Sequence, residues 1–221
     1  IHGMSSHLRD AEELAKDVAV YYGMISMMDK YIGRIIDRLE ALGLADNTLV
    51  VFTSDHGHLF GQHGLNAKGP FHYEDLVKLP FIARWPGHIE AGASSDAMQS
   101  LVDLAPSFLD AAGVSIPGRM SGVSQLDCWR GGAPARDHVL VENHHEPTTI
   151  HVKTYVGERY KLTVYYRQTY GELFDLQQDP GETENLWDKP AYGETKAELT
   201  RALVFADMGK EPMPMPRIAG A

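Results

Sequence analysis

A single cysteine, Cys128, stands among 221 residues, so no disulfide can staple this fold internally, and the redox compartment stays open. No apolar stretch approaches the roughly 18–20 residues that a helix needs to cross a bilayer. Basic charge is scarce as well: 20 Lys and Arg stand against 30 Asp and Glu, a formal net charge of −10. The basic residues do not cluster, which argues against nucleic acid or an anionic membrane as partner. An anionic substrate is still compatible, because one lysine and a bound cation can invert the field inside a pocket. Internal repeats and low-complexity tracts are absent too. Cys128 itself sits in Leu-Asp-Cys-Trp-Arg-Gly-Gly, without the surroundings of an activated nucleophile, and reads as a structural thiol.

What is present begins with a long amphipathic pattern. Val18, Tyr21, Tyr22, Ile25, Met28, Ile32, Ile35, Ile36, Leu39 and Leu42 recur every three or four positions, which predicts one helix over 10–42 with a single apolar stripe. Acidic residues at its start and Gly43 at its end suit the helix dipole and a left-handed stop. Asp46-Asn47 turns the chain into Thr48–Thr53, a β-branched run expected to be a buried strand. Helix, short turn and buried strand suggest half of a parallel-sheet unit. Tyr73–Leu79 suggests a short helix, Pro80–Trp85 a second buried strand, and Leu101–Ala112 an amphipathic helix. At 117 the character changes. Residues 117–136 are Gly-rich and polar, and the short runs Val139–Val141, His151–Val156, Tyr160–Tyr166 and Leu173–Leu176 follow between turn signals, as in a small antiparallel sheet. Ala197–Met208 is expected to close it as a helix, ahead of a Pro/Met-rich tail whose composition suits an oligomer contact. The expected division is 1–116, an α/β portion, and 117–221, a small α+β subdomain.

The chemistry concentrates where the first strand ends. Ser-Asp-His-Gly at 54–57 delivers Asp55 and His56 to the end of an α/β strand, where such sheets bind ligands, and a carboxylate beside an imidazole suits a divalent cation. The loop 57–72, rich in glycine, is long for a connection, and long ordered loops tend to be functional. It carries Lys68, followed by Gly69-Pro70, which pins the backbone and favours a placed ammonium for an anionic group. His63, between Gln62 and Gly64, suits either a pocket wall supporting the ligands or a hydrogen bond within the loop. His58 and His72 read as loop packing. His144 and His145, in Val-Glu-Asn-His-His-Glu-Pro, either reach a substrate or form a solvated turn.

These residues, taken together, resemble a known family. Tyr21-Tyr22-Gly-Met-Ile-Ser-Met-Met-Asp-Lys-Tyr-Ile-Gly-Arg-Ile, Ser54-Asp55-His56-Gly57, Gly61-Gln62-His63-Gly64, Lys68-Gly69, and Pro80-Phe-Ile-Ala-Arg-Trp-Pro-Gly87 stand in the order seen in the second half of type I sulfatases, of the alkaline-phosphatase-like superfamily. Glu172-Leu-Phe-Asp-Leu-Gln-Gln-Asp-Pro-Gly-Glu-Thr-Glu-Asn-Leu186 is similar to the segment with which those enzymes end their small sheet. The resemblance implies an α/β fold, part of a sheet flanked by helices, then a small antiparallel C-terminal subdomain with a closing helix. It implies that Asp55 and His56 hold a divalent metal, Ca2+ or Mn2+, and that Lys68 meets the sulfate. His63, His144 and His145 are further candidates for substrate contact. The family's nucleophile is a formylglycine made from Cys or Ser in a Cys-x-Pro-x-Arg setting. No such setting occurs here, and the family's early aspartate pair is missing as well.

With those motifs missing, the chain is expected to be a C-terminal portion, roughly half, of a sulfuric ester hydrolase. Such a portion alone is expected to be inactive and to aggregate, with sheet edge and helix face uncovered. Its substrate would be a sulfated small molecule or glycan. Two alternatives stay open: a phosphonate monoester hydrolase or phosphodiesterase of the same superfamily, and a non-catalytic binding protein that keeps the fold.

Overall fold

The computed structural model describes residues 10–145 and 150–210, and the chain divides into two compact units, Ile1–Ala93 and Ser94–Ala221. In the first unit, Asp10 caps helix α1 (Ala11–Ala41), its carboxylate accepting from the Glu13 amide at 2.8 Å. That satisfies one of the donors a helix start leaves orphaned. Gly43, at φ 67°, ends the helix in the left-handed region as expected. The apolar stripe is real but uncovered: no residue of α1 is buried.

Strand β1 (Val50–Thr53) follows, then β2 (Leu59–Phe60) and β3 (Asn66–Ala67), which pair as a small antiparallel ribbon inside the long loop. Helix α2 (Glu74–Val77) and strand β4 (Phe81–Arg84) complete the unit. Two expectations need correction. β1 and β4 are half-exposed rather than buried, with Phe52 39% and Ile82 61% exposed. They also pair with each other antiparallel, in register Val50↔Arg84 to Thr53↔Phe81, and not as parallel neighbours. Burial on both faces needs cover on both faces, and this sheet has two strands among the described residues.

The second unit is organised around two buried centres. A 3-10 turn, Leu101–Asp103, leads into α3 (Leu104–Ala111), so the expected helix is entered by a tighter turn. Asp103, buried, accepts from the Ser100 and Val123 amides and the Gln125 side chain, and pairs with Arg136. One carboxylate thereby gathers a Gly-rich stretch that carries little apolar periodicity of its own. Within that stretch lies α4 (Leu126–Trp129), not anticipated from the sequence, with Cys128 buried as a structural thiol.

The other centre is the antiparallel sheet β5 (His138–His145), β6 (Ile150–Gly157), β7 (Tyr160–Tyr165) and β8 (Gly171–Asp175), in that spatial order. Helix α5 (Gly193–Gly209) closes it. Leu162, Leu173, Leu186 and Leu203 form its apolar cluster. A buried ion pair, Lys161 to Glu182 at 2.9 Å, lies in the same unit. At the end of α5, Asp207 pairs with Lys153 at 2.5 Å and Lys210 at 2.7 Å. The tail 211–221, suggested as an oligomer contact, lies outside the described residues.

Candidate functional site

Asp55, His56 and Lys68 meet in the first unit. The chain leaves β1 at Ser54, whose hydroxyl donates to the His56 carbonyl at 2.9 Å and folds the Ser-Asp-His turn back on itself. The His56 amide donates to Asp55 Oδ1 at 2.9 Å. That amide above all, then the charge of the His56 ring, holds the Asp55 carboxyl below the ordinary carboxylate range. Gly57 donates to the Leu76 carbonyl at 2.9 Å, and a Cβ there would stand 1.8 Å from the Asp75 carbonyl oxygen. Only glycine lets the turn seat so closely against α2.

The tautomer of His56 follows from its partners. Nδ1 lies 2.7 Å from the Gly57 carbonyl oxygen, which can only accept, so Nδ1 carries the hydrogen. Nε2 then presents a lone pair, and the Lys68 ammonium donates to it at 3.1 Å. Asp55 Oδ2 is 3.6 Å from the same Nε2. Two donors bound to one cation at about 2.0–2.4 Å stand roughly 3–4 Å apart, so the pair would fit a shared divalent ion once the Lys68 ammonium, which takes the same Nε2 lone pair here, moves aside. It supplies part of a coordination shell: among the described residues no group of three or more His, Cys, Asp or Glu side chains could hold a metal.

The loop that returns Lys68 is strained. His63 at φ 55° and Ala67 at φ 66° are two of the four non-glycine residues with positive φ among those described. Such conformations cost an L-residue free energy and gather at functional sites. His63 stacks on Tyr73 with ring centres 3.7 Å apart, and its Nε2 lies 3.7 Å from Asp75 Oδ2, both at α2. His58 packs between Tyr21 and Phe60 as expected. Its burial first, then repulsion from His56 and Lys68, keep its imidazolium below the ordinary range, with Asp17 opposing. His72 is buried, in keeping with its reading as loop packing.

His144 and His145 belong to the other unit. Neither forms a turn, because both continue strand β5, opposite His151 and Ile150. His144 stacks on His151 at 4.6 Å. The side chain of His145 lies outside the described residues. Ser54 and Asp75 were not singled out from the sequence. A serine directly before the Asp-His pair is the one signal that could have marked the first.

A family model described as sulfatase matches residues 4–114, and one described as N-sulphoglucosamine sulphohydrolase, C-terminal, matches residues 61–208. The chain is 36% identical over 191 residues to an N-acetylglucosamine-6-O-sulfatase of Bacteroides thetaiotaomicron, covering 83% of this chain and 34% of that protein. A structure solved in complex with its substrate D-glucosamine-2-N,6-O-disulfate is similar at TM-score 0.79 and 31% identity, over 84% of this chain and 39% of that one. A phosphonate monoester hydrolase of Agrobacterium radiobacter is similar at TM-score 0.83 and 27% identity, over 91% and 43%. The chain thus spans between 34% and 43% of the length of these relatives.

Proposed function

Since the chain belongs to the sulfatase family, we propose that it is the C-terminal portion of a hydrolase of sulfate monoesters, and that Asp55, His56 and Lys68 are its share of the active site. The observation that carries this reading is their convergence: the Lys68 ammonium and the Asp55 carboxylate lie 3.1 and 3.6 Å from one imidazole nitrogen, Nε2 of His56. The likeness to an N-acetylglucosamine-6-O-sulfatase and to a structure holding a sulfated sugar substrate supports it.

Each residue has a separate task. Asp55 stays ionised and accepts only, which suits a cation. His56, its Nδ1 hydrogen spent on Gly57, has at Nε2 a lone pair that the Lys68 ammonium takes here and that a cation could take in its place. A divalent ion held by this pair, Ca2+ or Mn2+, would supply Lewis-acid activation of the nucleophile and neutralise charge on the ester. That nucleophile, a formylglycine in this reading, belongs to sequence outside these 221 residues. Lys68 offsets charge on the sulfuryl or leaving oxygen. His63 steadies the loop through Tyr73 and Asp75, with substrate contact kept as a further proposal for it and for His144 and His145. The division at 116/117 is proposed for the complete fold, a catalytic α/β part followed by the small sheet. Alone, the chain is proposed to be inactive.

The second reading is a phosphonate monoester hydrolase, favoured by the structural likeness to the Agrobacterium enzyme. One experiment separates the two: the full-length protein assayed side by side on 4-nitrophenyl sulfate and 4-nitrophenyl phenylphosphonate. Higher kcat/KM on the sulfate ester supports the first reading. The reverse ranking replaces it with the second, and turnover of neither favours a non-catalytic protein.

A further inference from the structure

The twin tyrosines of α1 face different ways. Tyr22 is 65% exposed, whereas Tyr21 is half-buried against β2. The Tyr21 ring stacks on that of His58 with centres 5.7 Å apart, and meets Phe60 edge-on at 4.9 Å. His58 and Phe60 are 4.5 Å from each other, so the three rings close one cluster, and Leu59 between them in the chain is fully buried. Two turns earlier on α1, Leu14 approaches the same segment: its Cδ1 lies 3.4 Å from where a Cβ on Gly61 would stand. Positions i and i+7 share a helix face, so the first third of α1 lies on the ribbon β2–β3.

That ribbon is short and closed. Leu59↔Ala67 and Phe60↔Asn66 pair, and the Gly61 amide donates to the Leu65 carbonyl at 2.8 Å across its tip. His58 directly precedes the pair Leu59↔Ala67 and Lys68 directly follows it. Whatever seats the ribbon therefore also places Lys68, whose ammonium donates to His56 Nε2 at 3.1 Å. The tip is held separately, by the stack of His63 on Tyr73. Anchors on two helices leave two short strands little freedom to pivot.

We propose that Tyr21 is a positioning residue for the reaction: through His58 and Phe60 it seats the ribbon on α1, and through the ribbon it sets the Lys68 ammonium beside His56. A lysine side chain is long and searches many rotamers. Fixing its backbone narrows that search and keeps the ammonium where charge develops. The ring of Tyr21, rather than its hydroxyl, makes these contacts. The catalytic half of the inference rests on the ester-hydrolase reading, and the anchoring half does not.

The test uses the full-length protein with Tyr21→Leu and Tyr21→Phe, each made alone and together with Lys68→Ala. The substrate is 4-nitrophenyl sulfate, or 4-nitrophenyl phenylphosphonate if that is the ester turned over. Tyr21→Leu is expected to lower kcat about tenfold with KM nearly unchanged, because Lys68 acts on charge that grows in the transition state. Tyr21→Phe keeps the ring and should match wild type. In the Lys68→Ala background the loss from Tyr21→Leu should shrink below about twofold, since the group it acts through is gone. Limited trypsin digestion reads the anchor without any turnover. Lys68 is the only Lys or Arg between Arg38 and Lys78, so nicking after it reports release of the ribbon. Nicking should be several-fold faster in Tyr21→Leu than in wild type or Tyr21→Phe. Phe60→Leu, which removes another ring of the cluster, should behave like Tyr21→Leu and replaces it if that variant does not fold. Nicking at the wild-type rate, or a full tenfold loss of kcat with Lys68 already absent, would overturn the proposal. Turnover of neither ester sinks the hydrolase reading alone, and the nicking rates then decide the anchor by themselves.

Discussion

In the unit Ile1–Ala93 the 31-residue helix α1 has no buried side chain, whereas in the unit Ser94–Ala221 the sheet and α5 close over Leu162 and Leu173, both 0% exposed. Among the described apolar residues of the first unit only Ala45, Leu59, Pro70 and Leu76 are buried. The two units therefore stand on different physics. The second holds itself together by apolar burial and by satisfied internal charges. The first presents apolar faces and holds the candidate chemistry by local devices: a serine hydroxyl, a glycine pressed on α2, and a strained loop. Precise side-chain placement can thus rest on short-range hydrogen bonding where the surrounding core is thin.

The largest expected effect breaks the self-sufficient unit. Lys161→Met leaves the Glu182 carboxylate buried without its ammonium, both groups being 1% exposed, and should cost about 3–5 kcal/mol in urea denaturation. The double variant Lys161→Met/Glu182→Met should recover much of that loss, because a matched apolar pair leaves no charge stranded. A single variant as stable as wild type would mean that the pair is dispensable.

Next comes the opposite case, function without stability. Lys68 is exposed, and its ammonium donates to His56 Nε2 at 3.1 Å. Lys68→Ala in the intact enzyme should lower kcat by about 10²–10³-fold, as removal of one charge-stabilising donor does, with Tm unchanged. An unaltered kcat removes Lys68 from the site.

A third substitution sharpens the contrast directly. Ile35 is 62% exposed on α1. Ile35→Ser in the 221-residue chain should change stability by less than about 0.5 kcal/mol. If the complete protein covers that stripe, the same substitution there should cost about 1.5–3 kcal/mol. Equal, small effects in both would show that the stripe stays open to solvent.

Much of this was legible in the sequence, for identifiable reasons. α1 declared itself through ten apolar positions at helical spacing, and Asp55, His56 and Lys68 through their place after a strand and within a glycine-rich loop. The four-stranded sheet was read from its turn signals, though β5 runs on through His144 and His145, which are compatible with either turn or strand. The burial of β1 and β4 was misread because Val-Val-Phe-Thr and Phe-Ile-Ala-Arg report what faces a strand can bury, not which partners are present. α4 was missed because its position is set by Asp103, some twenty residues earlier, through Gln125 and Val123. A hydrogen-bond hub leaves no periodicity to read. The same holds for the Ser54 hydroxyl and for Asp75, whose roles depend on where Gly57 lets the chain approach.

The smallest effect concerns acid, and its sign follows from Asp207. The Lys153 ammonium beside it, then that of Lys210, hold its carboxyl below the ordinary value of 3.8. A carboxyl depressed in the fold binds fewer protons there than in the unfolded chain, so it stabilises the fold above its unfolded value. That contribution is lost as pH falls through 3.8 toward the lower folded value. Between pH 7 and pH 5 the urea midpoint of the sheet unit should therefore be insensitive to this group, and below about pH 4 it should fall. Asp207→Asn should lie below wild type at neutral pH and converge on it in acid. Asp175, held down by its hydrogen bond from Arg159, has the same sign, so the variant should flatten the acid limb in part and leave the remainder. Parallel curves for wild type and variant down to pH 3 would show that the Asp207 contacts do not tie the end of α5 to β6.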